Sequence, residues 1–392
     1  MPSRRAVFTG GAGALALAAL GYRAWDRGAF AGASGPAYAP WDEWLGTQRD
    51  GNRRPLRSAI LAASPHDTQP WSFMVSADAI AVYADRARHL GTFDPFRREM
   101  HLGVGCAIEN LTLAARAFGI ETEVHVAGGR LELFPGPQPV LAARIALATG
   151  QTRSDALFKA IPLRHTNRGP YRDEPIAPDR LRWLVDLASG PAVRVVLVVE
   201  EGARRELGAI IVEATERIIT DPEMSRDSFR WIRTGRRDIL AHRDGVTLDT
   251  FGANRFVTIA GKVLPDAGPK MTDRLWLTAT REVHTATAAV LGLILVPDRL
   301  DMVPAIAAGR AWQRLHLAAT AEGLAAQPLN QPVEMSERRQ MLNRQDEFGP
   351  ALARLARADD WEPTFVFRLG YASRDAARSP RRPLEDVVTA QT

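Results

Sequence analysis

Two distant stretches of this chain repeat one pattern. Gly105 to Glu121 reads GCAIENLTLAARAFGIE, and Gly309 to Ala325 reads GRAWQRLHLAATAEGLA. They agree at Gly105/Gly309, Ala107/Ala311, Leu111/Leu315, Leu113/Leu317, Ala114/Ala318, Ala115/Ala319, Ala117/Ala321 and Gly119/Gly323. Each copy carries leucines at helical spacing and ends on a glycine suited to a helix C-cap. The small residues favour close helix packing. A chain with two such helices, one per half, has the plan of a homodimer joined end to end, each half giving a central helix to a shared core. The repeat is far too sparse for a solenoid.

Around these helices the expected elements are mixed. Strands are expected at Ala79–Ala84, Glu121–Val126, Leu131–Phe134 (a hairpin about Gly128-Gly129), Ala142–Ala148, Ala288–Val296 and Thr364–Leu369. The β-branched run Val193–Val199 reads as a buried strand. Helices are expected at His101–Gly119, Asp179–Leu187, Glu206–Ile219 and Ile306–Gly323. Met224–Asp273 shows no clear period and reads as an irregular excursion that could cover a site. Strands and helices do not alternate strictly, which favours α+β layers over a doubly wound sheet. Gly103-Val104-Gly105 is only a fragment of a dinucleotide fingerprint, with no strand before it.

The halves differ in their polar loops. Half one holds AASPHDTQPW, Ala62 to Trp71, where Pro65 and Pro70 forbid regular structure. Half two holds Arg164-His165-Thr166-Asn167-Arg168, in which two guanidinium groups four residues apart suit phosphate. Arg381-Arg382 adds a basic pair near the end, and Arg368 lies on the last expected strand. These partial sites are complementary, so one composite site at the junction is expected.

Composition narrows the function. The chain has 392 residues and a net charge of +5, with only Lys159, Lys262 and Lys270 as lysines. No basic run is interleaved with aromatics, so nucleic acid is not an expected partner. The lone Cys106 sits in an apolar helix with no local base and reads as a buried structural thiol. His101, His125, His242, His284 and His316 show no metal spacing. Asp298 and Asp301 read as caps of the following helix. At the start, Arg4-Arg5 precedes the weakly apolar run Thr9–Leu20, with Ala29-Phe30-Ala31 and Ala37-Tyr38-Ala39 as cleavage candidates. This pattern resembles a Tat export signal. Residues 1–40 are therefore set apart as signal and linker, 41–150 as the first half, and 151–392 as the second half with a lid at 224–273. The expected location is exported or periplasmic, reached through the Tat translocon; a cytoplasmic protein with a basic tail is the other reading.

The ordered set A-x-S-x-x-D-x-Q-P-W, R-x-T-x-R, a glycine-ended Ala/Leu helix, R-L-G-Y and R-R-P-L resembles the nitroreductase family of FMN proteins over about residues 52–388. The single-chain arrangement is similar to the Acg-type branch. The resemblance implies an α+β nitroreductase-like fold in two pseudo-symmetric halves that mimic the family homodimer, and a functional monomer. It also implies one FMN per chain, because only half one holds the SPHDTQPW loop. Ser64, Pro65, Asp67 and Gln69 would approach the flavin from half one. Arg164, Thr166 and Arg168 would hold the phosphate and ribityl chain. Gln327, Pro328 and Leu329 would line the isoalloxazine, and Arg381 and Arg382 would complete the phosphate clamp. NAD(P)H would be the electron donor and a small nitroaromatic or quinone the acceptor, with no side-chain general acid required. The other reading is a protein that sequesters a lidded flavin without turnover. Asp67 stands where the family usually has Asn, and an ionised carboxylate cannot donate a hydrogen bond.

Overall fold

The computed structural model describes residues 18–358 and 360–390. Arg4-Arg5 and the apolar run as far as residue 17 lie outside the described residues. Residues 18–26 form α1. The first half continues with α2 (Arg54–Ala59), β1 (Trp71–Val75), β2 (Ala79–Ala84), α3 (Arg98–Ala117), β3 (Ile120–Val126) and β4 (Val140–Thr149). The second half brings α4 (Ala156–Ala160), α5 (Pro178–Ala188), β5 (Arg194–Val198) and α6 (Glu201–Thr220). Next come α7 (Pro222–Phe229), β6 (Ile232–Arg233), α8 (Arg236–His242), β7 (Val246–Thr247), α9 (Arg255–Val263) and α10 (Pro269–Ala279). The chain closes with β8 (Val290–Val296), α11 (Met302–Ala321), β9 (Ala325–Pro328), α12 (Gln331–Met341), α13 (Phe348–Ala356), β10 (Glu362–Gly370) and β11 (Val388–Ala390).

Each half carries a main sheet, and β11 from the end of the second half completes the first. The first runs β11-β1-β2-β4-β3 and the second β5-β8-β10-β9. Between them lie the two helices of the repeat, α3 and α11. Both are buried over most of their length, as a helix at the centre of a large core must be. Their contact depends on the matched glycines. A Cβ on Gly105 would strike the carbonyl of Ile306, and one on Gly309 would strike that of Leu102. The buried Cys106 thiol donates to Gly309 O at 3.2 Å, and burial pushes it up to about 12. Asn110 and Gln313 bond to each other across the same seam at 2.7 Å. Both helices end before glycines in the left-handed region, Gly119 at φ 76° and Gly323 at φ 72°. Asp301 caps α11 by accepting from Val303 N. The fold is α+β, two fused halves about a central helix pair.

Four local expectations change. Leu131–Phe134 forms no strand with β3. Leu131 N donates instead to Leu300 O at 2.7 Å and Arg130 pairs with Asp301, so this segment crosses to the other half and β4 takes its place beside β3. β5 lies at a sheet edge and is only partly covered, whereas β8, buried at every position, is one of the two inner strands. Met224–Asp273 is built from short helices, too short to show a period in sequence. Within 18–40, Ala37 and Tyr38 are buried in the main core, next to Trp41, because Arg381 N bonds Ala37 O at 2.8 Å and Trp41 Nε1 donates to Ser379 O.

Candidate functional site

The loop Ser64–Gln69 leaves α2 and enters β1 at Trp71. Pro65 opens a single turn, with Asp67 N donating to Ser64 O and Thr68 N to Pro65 O. His66, Asp67 and Gln69 hold φ of 47°, 55° and 49°. Left-handed backbone at non-glycine residues costs on the order of 1 kcal/mol each and persists where surroundings enforce it, often at binding sites. The enforcement is visible. Gln69 N donates to Ser64 Oγ, Gln69 Nε2 to Arg243 O at 2.9 Å, and Arg382 N to Gln69 Oε1 at 2.8 Å. Gln69 thus ties together the loop, the 224–273 excursion and the tail.

Three guanidinium groups converge on this loop. Arg164 follows the short turn after α4, is almost fully buried, and donates to Leu61 O at 2.9 Å. Burial and the neighbouring Arg381 pull it down to about 9, and its Nε has no partner. Arg168, half-buried, donates to Thr250 O at 3.0 Å. Arg381, 2% exposed, pairs with the Asp67 carboxylate, donates to Ser379 Oγ, and rests 4.8 Å from the Trp41 ring. Its Nε is also without a partner. Burial pushes Asp67 up to about 7, with Arg381 pulling it back down. His165 packs its ring edge against Trp41, 4.6 Å between centroids, and burial drives it to about 3, so it stays neutral.

The enclosed space is small. A cavity of about 40 Å³ is bounded by Ser64, Asp67, Arg164, Thr166, Arg168 and Arg381, with Gly245 and Thr250 closing it. A site for a drug-sized ligand needs roughly 300 Å³ or more. The missing room is taken by the excursion: Gly245 N donates to Asp67 O at 3.2 Å, and the chain at Gly252 lies so close to Arg168 that a Cβ would overlap its backbone. Lys262 holds Asp249 at 2.8 Å and fixes this covering segment from behind.

The expected site residues therefore divide. Ser64, Asp67, Arg164, Thr166, Arg168 and Arg381 share one cavity, and Pro65 forms the turn beside it. Arg382 turns away, its side chain reaching Asp386 O and Gln69 O. Gln327 is held by Arg368 Nε at 2.7 Å, and neither it, Pro328 nor Leu329 borders the cavity. Trp41, Gly245, Val246, Thr250 and Ser379 join the surroundings without a sequence signal, apart from the cluster of aromatics around Trp41.

The donor set can be tested against a bound group. Three cationic side chains face one carboxylate, and two of their Nε atoms are orphaned. A phosphate dianion supplies the missing charge and acceptors. The phosphate end of a nucleotide therefore fits these residues; any ring system attached to it requires segment 243–252 to shift.

No family model matches the chain. It is 26% identical over 350 residues to "Putative NAD(P)H nitroreductase Rv3131" of Mycobacterium tuberculosis, covering 86% of this chain and 90% of that protein. A second relative of that organism, "Putative NAD(P)H nitroreductase acg", is 27% identical over 187 residues, 45% of this chain and 52% of the relative. Among solved structures, "a putative nitroreductase from anabaena variabilis" is 13% identical with a TM-score of 0.43, covering 75% of this chain and 69% of that one. The FMN-dependent nitroreductase NfnB of Mycobacterium smegmatis is 17% identical with a TM-score of 0.38, over 60% of this chain and 98% of its own. Over 86% of its length the chain is thus similar to a relative named as a nitroreductase. The match to acg spans about half of each chain.

Proposed function

We propose that the protein binds one FMN at the Arg164–Arg168–Arg381 cluster and is an NAD(P)H-linked oxidoreductase of a small nitroaromatic or quinone acceptor. The observation that carries this reading is the uncompensated buried charge of the cluster, in a chain with full-length nitroreductase relatives. Arg164, Arg168 and Arg381 would hold the phosphate, with Thr166 and Ser64 beside the sugar-like chain. Bound flavin would supply hydride acceptance and donation. The protein's own contribution is position, charge and the exclusion of water by segment 243–252. Neutral His165 packs on Trp41, whose face lies under Arg381, and adds no counter-charge to that of Asp67.

A second reading, sequestration of flavin without turnover, is favoured by one observation: the excursion reduces the cavity to about 40 Å³. Anaerobic addition of NADH or NADPH separates the two. Bleaching of the flavin bands supports the oxidoreductase. Flavin that stays oxidised with both nucleotides but reduces with dithionite sinks it and supports sequestration. Arg168→Ala is expected to purify without flavin; a fully loaded variant breaks the composite site. The reading includes export through the Tat translocon, checked by whether Arg4→Lys/Arg5→Lys holds the protein in the cytoplasm.

A further inference from the structure

The helices of the 224–273 excursion and its extension are built the wrong way round for a surface in water. In α9 the lysine faces inward: Lys262 is 4% exposed and bonded to Asp249, while Phe256 is 85% exposed. Val257 and Leu264 are exposed beside it. In α10, Met271 and Leu275, one helical turn apart, both face out. α1 lies along the same edge. Arg23 Nε donates to Val263 O at 2.7 Å, Arg23 Nη2 to Leu264 O at 3.0 Å, and Arg27 pairs with Asp266 at 2.6 Å. This brings Tyr22 and Trp25, exposed and 6.0 Å apart, to the edge of the apolar face. Exposed apolar side chains repeated along residues 256–275, with Tyr22 and Trp25 on the helix that Arg23 and Arg27 tether to this stretch, mark an interaction surface.

The exposed charges of this face that have no ion-pair partner among the described residues share one sign. Arg255, Lys270 and Arg274 are exposed and make no ion pair among the described residues. The nearby acids are engaged: Asp266 by Arg27, Asp273 by Ser225. Free cations fringing Phe, Leu and Met, with Trp and Tyr at the margin, match the layered chemistry of a bilayer surface. Apolar groups enter the acyl boundary, indole and phenol sit at headgroup depth, and Lys and Arg reach anionic phosphates. No helix among the described residues is long and apolar enough to cross a membrane, so attachment would lie in the interface plane.

We propose that the face formed by α1, α9 and α10 seats the protein on an anionic lipid bilayer. Co-sedimentation of the full chain with phosphatidylglycerol/phosphatidylethanolamine vesicles, against phosphatidylcholine vesicles, tests it. Binding is expected on the anionic vesicles, weakened by salt. Phe256→Ser/Leu275→Ser is expected to lower the bound fraction at limiting lipid by on the order of tenfold, without moving the thermal midpoint, because both side chains are exposed. Three results overturn the proposal: no sedimentation with anionic vesicles; equal binding by the double variant, which would put attachment elsewhere in the chain; or a concentration-dependent dimer in light scattering that the double variant abolishes, which would make a second copy the occupant.

Discussion

Two clusters of buried charge lie at the junction of the halves, with opposite imbalances. Around Arg381 three cations meet one carboxylate. Around Arg98, at the start of α3, one fully buried guanidinium meets Glu99 and Glu337, with Glu334 and Asp94 close by. The two excesses have different remedies. A surplus carboxyl can take up a proton, and burial pushes Glu99 up to about 8 and Glu334 well above its ordinary range. A surplus guanidinium has no such escape, because it stays charged at any working pH. The acidic cluster can therefore be complete within the fold, joined by Asn330 and Thr364. The basic one remains short of an anion, which is why it reads as a site.

The largest way to break this comparison is at the acidic cluster. Glu337→Ala removes the carboxylate that accepts from Arg98 Nε at 2.5 Å and leaves a buried charge with less compensation. Stability should fall by about 3–5 kcal/mol in denaturant titration; a loss of only a few tenths would mean Arg98 is held by Thr364 O and Glu99 alone. Next is the pH dependence. Glu99 titrates higher in the folded chain than when unfolded, so the folded state binds the extra proton. Its contribution to stability is full below about 4.5 and is lost as pH rises to about 8. Glu99→Gln should flatten that decline, which has a limiting slope of about 1.4 kcal/mol per pH unit for one group. An unchanged slope would assign it to other groups. The smallest effect is at the basic cluster. Asp67→Asn removes the internal counter-ion from Arg381 and should tighten FMN binding on the order of tenfold by fluorescence quenching. The wild-type protein should approach the variant's affinity as pH falls through about 7. Equal affinities at pH 8 would show that Asp67 does not compete with the phosphate.

The sequence shows the central helices because their signal is local: apolar spacing and a terminal glycine in each copy. The paired glycines Gly105 and Gly309 carry the repeat and also set the closest helix contact. Arg164, Arg168 and Arg381 were visible as motif residues, but the direction each guanidinium takes depends on remote chain. Arg381 reaches Asp67 and Ala62, whereas the adjacent Arg382 reaches Gln69 and Asp386. Spacing alone cannot separate those neighbours. The same limit hid Thr250 and Gly245, which reach the cavity only because the short helices of the excursion fold back over it. Gln327 likewise matches a motif position, yet Arg368 claims its side chain.

The last strand, β11, pairs in parallel with β1, Phe73 opposite Val388, so the sheet that forms first in sequence is finished by the end of the chain. Arg381 lies seven residues before that pairing and reaches the site from the same tail. A nascent chain emerging from the ribosome can pack the central helices well before it has made either element. Its cluster of three arginines is assembled only after Arg381 has been made, so the central helices form first, without it.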